Sequence, residues 1–186
     1  VQGAADIPLA PNGILLAEKT GEALKDVRFD LCFSSPLARA RKTAELILDS
    51  QAGEVPVIED KRIQEINFGE LEGVICFNDA HEYLNPEMEK FFTDPWKFKR
   101  PKHGENIADI LARTKDFWDE KIHDPSLLDK TILIASHGCA VRALLQNVYQ
   151  DPENFWHGCV PPNCSVNVVE VTDGQAVLLE DDKVYA

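Results

Sequence analysis

Basic residues are scarce in this chain. Nineteen lysines and arginines stand against 32 aspartates and glutamates, a formal net charge of −13. A nucleic-acid binder presents a basic face to the phosphate backbone, so the balance works against such a partner. It equally disfavours docking on an anionic membrane surface. Long apolar runs are missing too: no stretch approaches the ~18 residues of a bilayer span, and no signal-peptide pattern opens the chain. Metal or redox cysteine pairs are also absent. The five cysteines, Cys32, Cys76, Cys139, Cys159 and Cys164, include no Cys-x-x-Cys, which fits reduced thiols in a cytoplasmic protein better than a disulfide framework. His157, Cys159 and Cys164 supply three potential metal ligands, but Pro161 and Pro162 lie between the cysteines and no fourth ligand is evident. Neither a metal nor another cofactor is expected.

What is present suits one domain, residues 1–186. The chain is 44% hydrophobic and 27% charged, enough apolar content for a core without a disulfide or metal staple. Helix-like and strand-like segments alternate, which implies an α/β layered architecture. Pro11 suits the first turn of a helix. Phe29–Phe33 reads as a short strand, and Ser35 and Pro36 as the cap and first position of a helix running to about Asp49. A further strand is expected at Val55–Glu59, a long amphipathic helix at Asn106–Ile122 and a strand at Thr131–Ala135. A helix follows over Ala140–Tyr149, and Asp173-Gly174 marks a hairpin between Ser165–Val171 and Gln175–Glu180. Residues 74–104, interrupted by Pro86, Pro95 and Pro101, read as an irregular, lid-like insertion of short helices.

Three segments place polar groups just after a strand or at a helix start, where open α/β sheets bind ligands. Arg39 lies in the first turn of its helix, a poor place for a cation unless it meets an anion; the alternative is a surface arginine. His137, in Ser136-His137-Gly138, ends an apolar strand; the alternative is a structural histidine. His81, His103, His123 and His157 lie in polar contexts and read as solvated. Glu65 sits between Ile63 and Ile66–Phe68, surroundings that raise a carboxyl pKa and suit a general acid. Glu70 and Glu72 read as exposed, and a solvated carboxylate is the alternative for Glu65 as well.

Taken together, Ser-Ser-Pro-Leu-x-Arg-Ala-x-x-Thr-Ala at 34–44, Glu-x-x-Phe-Gly-x-x-Glu-Gly at 65–73 and Ser-His-Gly at 136–138 resemble the histidine phosphatase superfamily, in its phosphoglycerate-mutase-like branch. The opening Gln2-Gly3-x-x-Asp6-x-Pro8-Leu9 fits as well, so the resemblance runs from residue 2 to about 180. It implies a three-layer fold, a mostly parallel central sheet flanked by helices. It also implies a metal-free phosphohistidine mechanism on a small phosphorylated substrate. Arg39 would bind the phosphoryl group, His137 would donate to its oxygens, and Glu65 would protonate the leaving alkoxide. Gln2, Gly3, Arg62 and Gly138 would contribute to substrate binding.

One element of the pattern is missing. The family's nucleophilic histidine belongs to an Arg-His-Gly motif ending the first strand, and no Arg-His-Gly occurs here. A shortened sequence, a late start and a degenerate protein all account for this. Because that strand lies centrally, beside the one ending in Ser-His-Gly, its loss would bare two rows of backbone groups, which favours residues missing from the sequence. Ala10 replaces a capping threonine, costing ~1 kcal/mol, and His103 replaces a glycine. Glu65 and His137 stand 72 positions apart, a spacing that resembles phosphatase-type members rather than glycolytic mutases. A phosphomonoester phosphatase is therefore expected first, a phosphoglycerate mutase second, and a non-catalytic phosphate-binding protein third. Lys97, Lys99, Arg100 and Lys102 form a basic run that either lines the substrate mouth or is a solvated face. A cysteine phosphatase needs Cys-x5-Arg; Cys32 precedes Arg39 by seven positions and Cys139 has Leu145 where arginine should stand. Oligomeric state is not legible.

Overall fold

The structure, a computed structural model, describes residues 1–185. The elements are α1 (Pro11–Ala23), β1 (Leu31–Ser34), α2 (Ala38–Leu48), β2 (Val57–Glu59), α3 (Pro86–Thr93), α4 (Ile107–Ile122), β3 (Ile132–Ala135), α5 (Gly138–Leu145), β4 (Val166–Thr172) and β5 (Gln175–Lys183). Short 3-10 turns at Lys61–Ile63, Gly69–Leu71, Pro95–Lys97 and Pro125–Leu127 fill the connections.

The period of two along β1 explains the layers. Phe33 points to one face, where it packs with Ile63, Phe117 of α4 and Leu144 of α5. Cys32 points to the other, against Ala44 of α2 and Ala135 of β3. Helices thus cover both faces of a parallel sheet ordered β2-β1-β3, with Phe33 opposite Ile58 on one side and Ile134 on the other. The edge of β3 facing away from β1 pairs with no strand among the described residues, and β4 and β5 form a separate antiparallel ribbon. Ile134 is 40% exposed, an unusual state for an apolar residue in a strand of this type.

Several starts and stops follow from capping. The Asn106 side chain accepts from the backbone of Asp109 while Asp109 accepts from the backbone of Asn106, a reciprocal cap that opens α4. Asp173 and Gly174 both have positive φ (50° and 74°), as the tight turn between β4 and β5 requires. The α2 helix departs from expectation. It begins at Ala38, and Pro36 lies outside it; the amide of Ala38 is satisfied by the Asp6 carboxylate (2.7 Å), contributed from 32 positions upstream. Residue 10 supplies no side-chain cap to α1, as an alanine there must.

Residues 74–104 insert Met88, Phe91 and Phe98 into the largest apolar cluster, with Ile66, Phe68, Cys139, Phe155 and Trp156. The C-terminal ribbon is tied to α5 by Arg142. This fully buried guanidinium donates to the carbonyl of Cys159 (3.0 Å), the hydroxyl of Tyr149 (2.6 Å) and the carboxylate of Asp182. Among the described residues no helix is long and apolar enough to cross a membrane.

Candidate active site

The carboxyl ends of β1 and β3 lie side by side, Ser34 opposite Ala135. The residues that follow them, Ser35 and His137, therefore meet: His137 Nε2 lies 2.7 Å from Ser35 Oγ. That hydroxyl also accepts from the amide of Leu37. Ser35 thus serves as partner to a histidine rather than as the cap of α2. Burial, then the positive charges of Arg39 and Arg113, push the His137 imidazole down to about 3, so it is neutral near pH 7.

Glu65 lies against the first turn of α5. Its Oε1 accepts from the amides of Ile66 (2.9 Å) and Ala140 (3.1 Å), and its Oε2 from that of Cys139 (3.2 Å). Desolvation raises its pKa, while the three N–H donors and the nearby charge of Arg39 pull the other way; the net direction is upward. A buried carboxyl so held can carry a proton at a pH where an exposed one has lost it. Gly138 covers it: a Cβ there would come within 3.9 Å of Glu65 Oε2 and 2.9 Å of Val160 Cγ1.

Arg39 projects from the start of α2 to the N-terminal loop, donating Nη1–H to the carbonyl of Ala5 (2.8 Å) and Nη2–H to that of Gly3 (2.7 Å). The arginines 41, 62, 100, 113 and 142 all form ion pairs with carboxylates. Arg39 meets neutral carbonyls instead, so its charge remains available to an anion. Gly3 is buried, and a Cβ there would overlap the carbonyl oxygen of Ile66, the Glu72 carboxylate and the Phe68 ring. Gln2 beside it is exposed.

Arg39, Glu65, His137, Gly3 and Gly138 are thus gathered at one end of the sheet, and Arg62 is not. Its guanidinium lies over the Phe117 ring and is bound by Asp60 (2.7 Å), Asp116 (2.7 Å) and Glu120 (2.7 Å). Three carboxylates already engage it, so its charge is largely neutralised where it stands. Two expectations change. Glu72 is partly buried rather than exposed, accepting three backbone N–H groups. His157 is stacked on Tyr149 at 3.5 Å between centroids, with a buried Nε2 that has no hydrogen-bond partner among the described residues.

Arg113 was not legible as a site residue. It donates to the carbonyls of Arg62 (2.8 Å), Gln64 (2.8 Å) and Glu65 (3.1 Å) and pairs with Glu105 (2.7 Å), bracing the Glu65 loop from behind. In the basic run, Lys97 pairs with Asp94 and Arg100 with Asp109. Burial pushes the Cys32 thiol up to about 12 and that of Cys139 well above its ordinary value, so neither is a ready nucleophile. Among the described residues no group of three or more His, Cys, Asp and Glu side chains has the arrangement of a metal site.

Comparison with known proteins accords with this geometry. The 2,3-bisphosphoglycerate-dependent phosphoglycerate mutase of Cytophaga hutchinsonii is 31% identical over 160 residues, covering 83% of this chain and 72% of that protein. The enzyme of the same name from Streptococcus mutans is 30% identical over 207 aligned positions, covering 96% of this chain and 89% of that one. Among solved structures, phosphoserine phosphatase of Entamoeba histolytica, in complex with 3-phosphoglyceric acid, superposes with a TM-score of 0.74 at 28% identity over 97% of this chain and 86% of that one. The pattern of the histidine phosphatase superfamily (branch 1) matches residues 1–181, and the chain belongs to that family.

Proposed function

We propose that this protein is a metal-independent phosphomonoester hydrolase working through a phosphohistidine. Its nucleophile would be the histidine of an Arg-His-Gly strand that these 186 residues do not contain. One observation carries the reading. Arg39, whose charge no carboxylate neutralises among the described residues, stands close enough to a buried acid, Glu65, and a neutral imidazole, His137, to act on the ionisation of both. A phosphoryl group needs positioning and charge neutralisation above all. The unpaired outer edge of β3 supports a strand lying there, since an edge carrying a half-exposed isoleucine invites another strand.

The steps balance with these groups. The nucleophilic imidazole attacks phosphorus in line as the ester P–O bond breaks. Glu65, protonated beforehand, gives its proton to the departing alkoxide. Arg39 binds the equatorial oxygens, and the dianion's arrival favours protonation of His137, which then donates to the same oxygens. In the second half, the Glu65 carboxylate takes a proton from water as that water attacks the phosphohistidine, releasing inorganic phosphate and regenerating the acid.

A mutase is the second reading, favoured by the names of the relatives. Against it stands the Streptococcus mutans match: 207 aligned positions exceed the share of this 186-residue chain they cover, so that mutase has internal segments this chain lacks. The test uses the natural full-length protein with p-nitrophenyl phosphate in the presence of EDTA. Hydrolysis is expected, reduced on the order of a hundredfold or more in Glu65→Gln and in His137→Ala. Undiminished activity in both variants would overturn the assignment. Isomerisation of 3-phosphoglycerate primed by 2,3-bisphosphoglycerate, without phosphate release, would favour the mutase.

A further inference from the structure

The phosphate-binding arginine is aimed by backbone, not by side chains, so something must hold that backbone still. Residues 3–5 lie in a loop with no regular secondary structure, and a loop of this kind is free to move unless its amides are tied. Glu72 ties them. Its Oε2 accepts from the amide of Gly3 (3.0 Å), and its Oε1 accepts from the amides of Ala4 (2.8 Å) and Phe68 (3.0 Å). No lysine or arginine pairs with this carboxylate among the described residues, so its charge is spent on backbone donors. The carbonyls of Gly3 and Ala5, on the same short stretch, receive the two Arg39 Nη–H groups.

From this chain of contacts we infer that Glu72 is a positioning residue for phosphate recognition, acting through the Gly3–Ala5 backbone on Arg39. The inference rests on the phosphatase reading for its purpose, though not for its geometry. Two of the five guanidinium N–H groups are committed to the loop, which fixes the plane of the fork and leaves the other three for an anion. Removing the anchor would leave Arg39 attached to a moving support. Its donors would then be ordered only at the moment of binding, and that ordering opposes affinity. The carboxylate also links the loop to Phe68, three residues from Glu65, so the arginine and the acid share one frame.

Glu72→Gln tests this with little change in size. A carboxamide has a single acceptor oxygen, so its NH2 must face at least one backbone N–H. The measured quantities are the Kd of inorganic phosphate for the natural full-length protein and the NMR signals of the Arg39 guanidinium without phosphate. Phosphate binding is expected to weaken about tenfold, roughly the worth of one charge-assisted hydrogen bond. The Arg39 Nη signals, distinct in the parent, should merge in the variant. In the Arg39→Ala background, Glu72→Gln should cost almost nothing further, because the two act as a unit.

Phosphate affinity within about twofold of the parent overturns the proposal, as does an equal loss in both backgrounds. Should Glu72→Gln fail to fold, Glu72→Asp carries the same comparisons, since shortening the side chain by a methylene withdraws the carboxylate from the loop. If the parent itself binds no phosphate, the functional reading fails and the positioning is decided by Arg39 alone: distinct guanidinium signals in the variant refute it, merged ones support it.

Discussion

Acidification from pH 6 to pH 4 should destabilise this protein through His137, by an amount that can be worked out. The imidazole titrates near 6.5 when the chain is unfolded and is pushed down to about 3 in the fold by burial and by Arg39 and Arg113. Between those values the unfolded chain binds a proton that the folded one refuses. Stability therefore rises with pH across the window and is lost as pH falls, at up to ~1.4 kcal/mol per pH unit. Between pH 6 and pH 4 the integrated loss is ~2.5 kcal/mol, and ~2 kcal/mol after allowance for partial contact of the ring with solvent. Glu65 works in the opposite sense. Its raised pKa means the folded state holds its proton more tightly, so its contribution improves on acidification and diminishes as pH rises through the raised value. Comparison with His137→Gln removes that term, because Glu65 is present in both proteins. Urea denaturation of parent and variant at pH 6, 5 and 4 gives the difference in slope. If the two proteins lose stability in parallel, to within about 0.5 kcal/mol, the buried neutral imidazole is wrong.

Two further outcomes concern residues outside the acid–imidazole pair. Arg142→Met should cost about 3 kcal/mol by leaving Asp182 and the Cys159 carbonyl without their donor, and Asp182→Asn should add less in that background than alone; thermal melts read both, and a loss below about 1 kcal/mol would show that the ribbon is held by packing instead. Arg62→Met should leave kcat/KM within about threefold while lowering stability by about 1 kcal/mol, as expected of a largely satisfied, partly exposed ion-pair cluster; a tenfold or greater fall in kcat/KM would return Arg62 to the substrate-binding set.

The layering of the fold was legible because it follows from local pattern. Phe33 and Cys32 alternate, and the apolar stripe of α4 repeats at helical spacing behind an asparagine cap. The Asp173-Gly174 turn also needs only its own two residues. The start of α2 was not legible, because the group satisfying Ala38 is Asp6, far upstream in sequence. The same distinction runs through the site. His137 and Arg39 announce themselves by lying where a strand ends or a helix begins, and Glu65 by its apolar neighbours. Arg62 has comparable local surroundings, yet Asp116 and Glu120 reach it from another helix. Glu72 looked exposed because the amides it binds lie 68 and 69 positions away. Arg113 was silent for a related reason: its partners are mostly main-chain carbonyls, which leave no mark in the identity of a side chain.

That use of carbonyl oxygens bears on how the family can diverge. An arginine steadied by a carboxylate side chain ties two positions together, and a change at either must be answered at the other. Arg39 is steadied by peptide oxygens, which every amino acid carries. The side chain of residue 5 can therefore drift in chemistry while its carbonyl oxygen keeps the same address. The physical constraint on this part of the loop lies in the course of the chain, through the space reserved at Gly3, more than in what the neighbouring side chains are.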